Sequence, residues 1–220
     1  MIIRNWMRRD PVTIHSDALI SEARDLINKH SMRYLPVVDN GVLRGILRRR
    51  DLYWAATAVT ATLNMHEVDY FHNRLKVKDL MIRMPKTIQA DEPVESAMKK
   101  GAELKVSFFP VMERGKLVGT VSYEEIFETF SQVLGVREKW FGITLEEVEV
   151  GPGTLRSIAE DVDQTGAIIH SIFTLGKTGA NKKKVIVRLE TDRLDHVLAH
   201  LKEKGYRIME VENHAPGASK

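Results

Sequence analysis

No cysteine occurs anywhere in the 220 residues. A disulfide framework and a thiolate zinc site are thereby excluded, and any chemistry must come from oxygen and nitrogen groups. Long apolar runs are also missing. No stretch could cross a bilayer, and the opening Met1-Ile2-Ile3-Arg4-Asn5-Trp6-Met7-Arg8-Arg9-Asp10 has no apolar centre of the kind a secretory signal carries. These features lead us to expect a cytoplasmic protein with no membrane partner. Charge of one sign is scarce: 33 basic and 30 acidic residues leave +3, which points to no nucleic acid or other polyanion. There is no Gly-x-Ser-x-Gly elbow, and no nucleophile, base and oxyanion set can be assembled, so the chain reads as non-catalytic.

What is present is a core-forming composition, 43% hydrophobic and 29% charged, and an internal repeat. Sliding the chain against itself by 74 positions, without a gap, aligns Met7 with Met81, Pro11 with Pro85, Thr13 with Thr87, Ile14 with Ile88 and Asp17 with Asp91. Further on, Ala23 meets Ala97, Pro36-Val37 meets Pro110-Val111, Gly41, Leu43 and Gly45 meet Gly115, Leu117 and Gly119, and Asp51 meets Glu125. Coincident glycines, prolines and an acid mark one supersecondary unit used twice, because these residues set turns and breaks.

Each copy has a physical reading. Thr13-Ile14 and Thr87-Ile88 are short extended segments, after which Asp17 or Asp91 is expected to cap a helix with apolar positions at Leu19, Ile20, Ala23, Leu26 and Ile27 in the first copy. Tyr34 to Val38, a turn at Asp39-Asn40-Gly41, and Val42 to Leu47 read as a hairpin, and a second helix begins near Asp51. The order β-α-β-β-α buries little per copy. Two copies packed sheet against sheet are the expected α+β unit.

These residues resemble the CBS domain family over about residues 2 to 130. The resemblance is carried by the apolar-Pro-Val strands and by the closing segments Gly45-Ile46-Leu47-Arg48-Arg49-Arg50-Asp51 and Gly119-Thr120-Val121-Ser122-Tyr123-Glu124-Glu125. It implies two pseudo-symmetric clefts that in many members hold adenine nucleotides, each joining the early strands of one repeat to the closing motif of the other. The first cleft would unite Thr13, Ile14, Arg33 and Tyr34 with Ser122 and Glu125, and the second Thr87, Ile88, Ser107 and Phe108 with Arg48 and Asp51. A carboxylate at a helix start can accept two hydrogen bonds from a ribose diol, a hydroxyl three residues earlier can reach ribose or phosphate, and extended backbone can read an adenine edge. The second cleft departs from the pattern, since Arg48 stands where a hydroxyl is expected and would face the phosphates or fill the cleft. The bland alternative is that the acids cap helices and the three arginines form a solvated face.

Leu52 to Leu75 has few breakers and reads as a linker helix and dimer contact. His66, Glu67, Asp69 and His72 in it do not have the spacing of a metal motif. A second module follows. A strand over Thr144 to Val150, a break at Gly151-Pro152-Gly153, a helix with Leu155, Ile158, Ala159 and Val162, a strand to Leu175, another over Lys184 to Leu189, a helix capped by Thr191 and stopped at Gly205, and a last strand from Tyr206 give β-α-β-β-α-β, the ferredoxin-like arrangement. Residues 143 to 212 resemble an ACT domain through Gly151-Pro152-Gly153-Thr154-Leu155, Gly166-Ala167-Ile168-Ile169 and Leu201-Lys202-Glu203-Lys204-Gly205-Tyr206. That resemblance implies pairing of modules, with amino acids often bound between them. Here Val150, Gly151 and Ile168 replace the polar residues of amino-acid binders, leaving dimerisation as the expected role.

The expected organisation is a CBS pair over 1–136, an ACT-like domain over 143–212 and a tail at 213–220, resembling in domain order the acetoin-utilisation type of CBS protein. Ser171 to Thr178 ends like a phosphate loop but lacks its first glycine, and His196 and His200 are read as solvent-facing. No metal site, catalytic residue or required cofactor is expected. The leading expectation is a homodimeric regulator that senses AMP, ADP or ATP and acts on an enzyme or transporter. The alternatives are a constitutive dimer scaffold with empty clefts and an amino-acid sensor working through the second module.

Overall fold

The computed structural model describes residues 1–53, 74–138, 140–176 and 181–212. Most of the expected linker helix, with His66, Glu67, Asp69 and His72, and the tail at 213–220 lie outside the described residues. Chain contacts divide the molecule into two compact units, Met1–Phe127 and Glu128–Lys220.

In the first unit, β2 (Tyr34–Asp39) and β3 (Val42–Arg48) form one hairpin, and β6 (Phe108–Glu113) and β7 (Lys116–Ser122) the other. Both turn through two consecutive positive-φ residues, Asn40 at 50° and Gly41 at 77°, and Arg114 at 48° and Gly115 at 78°. This is the tight turn whose twist matches paired strands. The 74-residue repeat is written into the backbone elsewhere too, with Asp10 at 47° against Met84 at 48°, and Ser31 at 51° against Lys105 at 53°. Non-glycine residues seldom adopt that region, so its recurrence at one offset marks a shared fold.

The repeats do not stand side by side as closed units. The short β1 (Arg8–Arg9) pairs with β7 of the second copy, Arg8 facing Thr120 and Arg9 facing Gly119. Reciprocally, β4 (Ile82–Arg83) pairs with β3 of the first, Gly45 facing Arg83 and Ile46 facing Ile82. With β5 (Ile88–Gln89) parallel to β6, the sheets run β1-β7-β6-β5 and β2-β3-β4. Packing follows the exchange. The first core holds Ile14, Ile20, Ile27, Leu35, Val37 and Leu47 together with Val77, and the second holds Ile88, Val94, Phe109, Val111 and Val121 together with Ile3.

Helix capping departs from expectation. Helix α1 (Ile20–Lys29) starts after Leu19 with no side-chain cap, and the helix Val94–Leu104 starts after Pro93 in the same way. Asp17 and Asp91 stand too far upstream to reach the first free N–H groups. Asp17 instead lies 2.7 Å from Lys78 Nζ and 3.2 Å from Lys76 Nζ. Hydrogen bonds from Lys78 and Lys76 lower its carboxyl to a pKa of about 2.

The second unit follows the order β8 (Phe141–Glu149), a helix Thr154–Asp163, β9 (Ile168–Leu175), β10 (Lys182–Glu190), a helix Leu194–Glu203 and β11 (Arg207–Glu212). Its sheet runs β11-β8-β10-β9, every neighbour antiparallel. Ile143, Leu145, Val185, Val187 and Leu189 of the sheet meet Ile158, Val162, Val197 and Leu201 of the helices in one core. Elsewhere on this sheet Trp140 stacks on His170 at 3.9 Å, and the Ser171 hydroxyl donates to the Val133 carbonyl at 3.0 Å. Two local expectations are corrected. Thr191 does not cap the helix, which starts after Arg193 without a side-chain cap, and its Oγ1 accepts the Arg193 N–H in a tight turn instead. His196 is exposed as expected, but His200 is half-buried, its Nε2 enclosed and, among the described residues, without a hydrogen-bond partner.

Beside His200, the Tyr206 hydroxyl donates to Asp161 Oδ2 at 2.7 Å while Lys204 Nζ lies 3.0 Å from Oδ1. Burial, reinforced by the Asp161 carboxylate, pushes the Tyr206 phenol up to about 12. A phenol whose folded pKa exceeds its unfolded value of about 10 contributes stability that is complete below pH 10 and lost as pH rises toward 12. Tyr206→Phe is therefore expected to cost about 1–2 kcal/mol at pH 7 and to remove that alkaline decline. Urea unfolding of both proteins from pH 7 to pH 11.5 checks this, and parallel pH curves would refute it.

Candidate ligand-binding cleft

The exchange of opening strands builds a cavity of about 520 Å³ in the first unit, within the range of small-molecule sites. Arg8 reaches its wall because β1 is pinned to Thr120 of β7, and Asp10, Pro11 and Val12 follow where the chain leaves that strand. The turn after α1 supplies His30, Ser31 and Met32, and the start of β2 supplies Arg33 and Tyr34. The second copy contributes Ser107 and Phe108 at the start of β6, Thr120 and Ser122 from β7, and Tyr123, Glu124 and Glu125 from the first turn of the helix Tyr123–Leu134.

Tyr34 and Phe108, equivalent under the repeat, stack on each other at 4.5 Å with an 11° interplanar angle. The Tyr34 and Ser107 hydroxyls hydrogen-bond at 2.7 Å. Together they fix one wall of the cavity where the two copies meet. At the other end Glu125 Oε2 accepts the Ser122 backbone N–H at 2.8 Å and the Ser122 hydroxyl at 2.5 Å, while the Glu124 N–H donates to Ser122 Oγ at 3.1 Å. Ser122 thus caps the helix at the Glu124 N–H and Glu125 reaches back to the Ser122 N–H, so the bland reading of this acid is realised alongside its place in the cavity. Glu125 Oε1 lies 3.7 Å from Arg8 Nε, and Glu124 pairs with Arg33 at 2.8 Å. The cavity thus carries two guanidinium–carboxylate pairs and an aromatic wall, a set that can hold a ligand with a planar ring, hydroxyls and an anionic end.

Of the residues expected in the first cleft, Arg33, Tyr34, Ser122 and Glu125 come together. Ser107 and Phe108, expected in the second, line this same cavity because their strand starts beside Tyr34. Thr13 and Ile14 are not on its wall. Thr13 is exposed, whereas Ile14 is buried in the core with its N–H donated to the Pro36 carbonyl and its carbonyl accepting from Val38. Backbone committed to that ladder is not offered to a ring edge. Ile88 is likewise buried and paired with β6, and Thr87 is half-buried. Sequence reasoning missed Arg8, Asp10, Tyr123 and Glu124. The aligned Met7 and Met81 were the available signal, since they mark the opening segments that cross between the copies.

The pseudo-equivalent positions behave differently. Arg48, at the place of Ser122, donates from Nε to Asp51 Oδ2 at 2.5 Å and from Nη2 to Oδ1 at 2.9 Å. Neither is a solvated surface group, with side chains 29% and 24% exposed. Arg49 lies over the Tyr53 ring at 5.5 Å, and Arg50 Nε lies 3.8 Å from Asp51. Arg48 is thus engaged locally, whereas Arg49 and Arg50 are exposed, as expected of a solvated face.

The CBS domain family model matches residues 3–57 and 77–132, the two copies of the repeat. The chain belongs to the CBS domain family. Its CBS pair is 30% identical over 136 residues to an inosine-5'-monophosphate dehydrogenase of Korarchaeum cryptofilum, covering 61% of this chain and 25% of that protein. It is 28% identical over 131 residues to an L-aspartate semialdehyde sulfurtransferase of Methanocaldococcus jannaschii, covering 59% and 23%. The match thus spans about a quarter of either enzyme. A CBS domain-containing protein of Dictyostelium discoideum is 30% identical over 136 residues, 94% of its length. Among solved structures, the CBS domain pair of protein MJ0100, in complex with 5'-methylthioadenosine and S-adenosyl-L-methionine, superposes with a TM-score of 0.50 at 28% identity, over 59% of this chain and 99% of that one. A candidate acetoin utilization protein (AcuB) from Vibrio cholerae shares the fold, with a TM-score of 0.52 at 19% identity over 63% and 96%. Among the described residues no helix is long and apolar enough to cross a membrane, and no cluster of three metal-ligating side chains occurs.

Proposed function

We propose that this chain is a non-catalytic regulatory protein that senses an adenine nucleotide in the cleft between Tyr34–Phe108 and Ser122–Glu125, and passes the signal on through rearrangement of a homodimer. The observation that carries the reading is the cavity itself, with Glu125 and Ser122 at the start of a helix and Arg8 and Arg33 nearby. Glu125 would accept the ribose diol, its Oε2 exchanging the Ser122 hydroxyl for a ligand hydroxyl, while Arg8 and Arg33, 63% and 72% exposed, would receive phosphates at the mouth. The adenosine-based ligands of the MJ0100 CBS pair support an adenine ligand. The second unit is read as an ACT-like dimerisation module, supported by its β-α-β-β-α-β order and antiparallel sheet. The protein regulated would be an enzyme or transporter.

Thermal melting with AMP, ADP, ATP and S-adenosylmethionine tests this. A ligand at a hundred times its Kd stabilises by about 2.7 kcal/mol and should raise the melting point by about 5–10 °C. Glu125→Ala should abolish the shift, but it also removes the carboxylate that reaches back to the Ser122 N–H, so its ligand-free midpoint should fall by the equivalent of about 1 kcal/mol. Glu125→Gln keeps the cap and loses the charge, so it should melt near the wild type while binding weakly. No shift with any of the four at millimolar concentration would defeat the proposal.

A further inference from the structure

A site that receives phosphate would be expected to carry an excess of positive charge, and this cavity does not. Its lining sets two guanidiniums, Arg8 and Arg33, against three carboxylates, Asp10, Glu124 and Glu125. Arg33 stands just before β2 of the first copy, and Glu124 in the first turn of the helix Tyr123–Leu134 of the second. Arg33 Nη1 lies 2.8 Å from Glu124 Oε1, so the pair ties one copy to the other at the cavity wall. The Glu124 N–H donates to Ser122 Oγ at 3.1 Å, which fixes its backbone and leaves only the side chain free to yield. The repeat does not demand this pair, because the equivalent positions hold Ser107 and Arg50. A phosphate approaching Arg33 must either draw the guanidinium away from Glu124 or settle beside a carboxylate, and both penalties grow with the negative charge of the ligand. A neutral nucleoside meets neither.

We propose that Glu124 is a specificity-determining residue of this cleft, a charge filter that holds Arg33 and makes each added phosphate harder to accept, so that the ligand is an adenine nucleoside or nucleoside monophosphate and not a triphosphate. The inference rests on the reading of the cavity as a nucleoside site. Neutralising position 124 should release Arg33 to the ligand while leaving the helix start intact, because Ser122 is bonded to the Glu124 main chain and to Glu125, not to the Glu124 carboxylate.

Isothermal titration of the full chain with adenosine, AMP and ATP, without divalent cations, reads the filter. The wild type should bind AMP at least as tightly as ATP. Glu124→Gln should raise the affinity for AMP relative to adenosine about threefold and for ATP relative to adenosine about tenfold, as removal of one negative charge beside the phosphates predicts. Both gains should collapse at about 1 M salt, where charges beyond about 3 Å are screened. Arg33→Gln should lower both ratios. If Glu124→Gln folds poorly, Glu124→Ala removes the same charge. Equal gains for all three ligands, or no gain for ATP, would overturn the filter while leaving the cleft a nucleoside site. Binding of none of the three, by the wild type and by Glu124→Gln alike, would defeat the sensor reading and the filter with it.

Discussion

Replacing Ile3 by alanine is expected to lower the unfolding free energy of the first unit by about 2–5 kcal/mol, the cost of emptying a filled core position. Ile3 is fully buried, and its N–H donates to the Glu92 carbonyl at 2.9 Å. It fills the core of the second repeat, against Ile88, Ala90 and Val94. The neighbouring Ile2 is 47% exposed, so Ile2→Ala should fall within about 0.5 kcal/mol of the wild type. Urea unfolding of the two variants gives the comparison. Equal and small effects would mean that the opening segment frays away from the repeat it is placed in. Because Arg8 lies five residues on in the same segment, Ile3→Ala should also weaken whatever the first cleft binds.

The second large effect is expected at Gly119. A Cβ there would sit 2.6 Å from Met7 Sδ and 2.8 Å from the Arg8 carbonyl oxygen. The thioether can swing aside. The carbonyl cannot, since it belongs to β1 in register with β7, and Gly119→Ala should cost about 1–3 kcal/mol through backbone displacement. The shift would move Arg8 away from Glu125, so ligand-dependent melting should shrink together with stability. Gly45, the equivalent residue, faces the Ile82 carbonyl at 2.6 Å and Met81 Sδ at 2.9 Å. Gly45→Ala should be as destabilising but should leave the first cleft's ligand response intact. Equal loss of response in both variants would mean that the response tracks global stability and not the position of Arg8.

Much of the first unit was legible because the repeat is ungapped and its signals are local. Hairpin turns at Asn40-Gly41 and Arg114-Gly115 follow from residues that fix their own backbone, and the apolar spacing of Ile20, Ala23 and Ile27 marks the buried side of α1. The capping acids failed for a physical reason. Asp17 has two lysines within reach, Lys76 and Lys78, delivered from 59 and 61 residues away, and no local pattern reports such a partner. His200 is half-buried although its spacing on the helix says outward, and no local pattern reports that enclosure. In the cleft, the residues read from the closing motif, Ser122 and Glu125, lie in the cavity. The residues read from the early strands divide, since Tyr34 and Phe108 lie at strand starts beside the cavity, while Ile14, in an isolated bridge to Val37, and Ile88, at the start of the edge strand β5, are buried in the two cores. What distinguished them was which side chains the cores take up, which a short extended segment does not report.

The crossed opening strands also set a timetable for the nascent chain. Arg4 finds Glu113 across 109 residues, and β1 cannot pair until β7 has emerged from the ribosome. At about 5–20 residues per second, the first strand waits on the order of 5–20 s for its partner, with the side chains of Ile3, Trp6 and Met7 exposed meanwhile. Ile3, fully buried in the finished second core, therefore stays open to chaperones until that repeat has been made. The tandem repeat looks as though each copy could fold from its own residues, yet the first copy closes only with Val77 and β4 from the opening of the second, and the second only with Ile3 and β1 from the opening of the first.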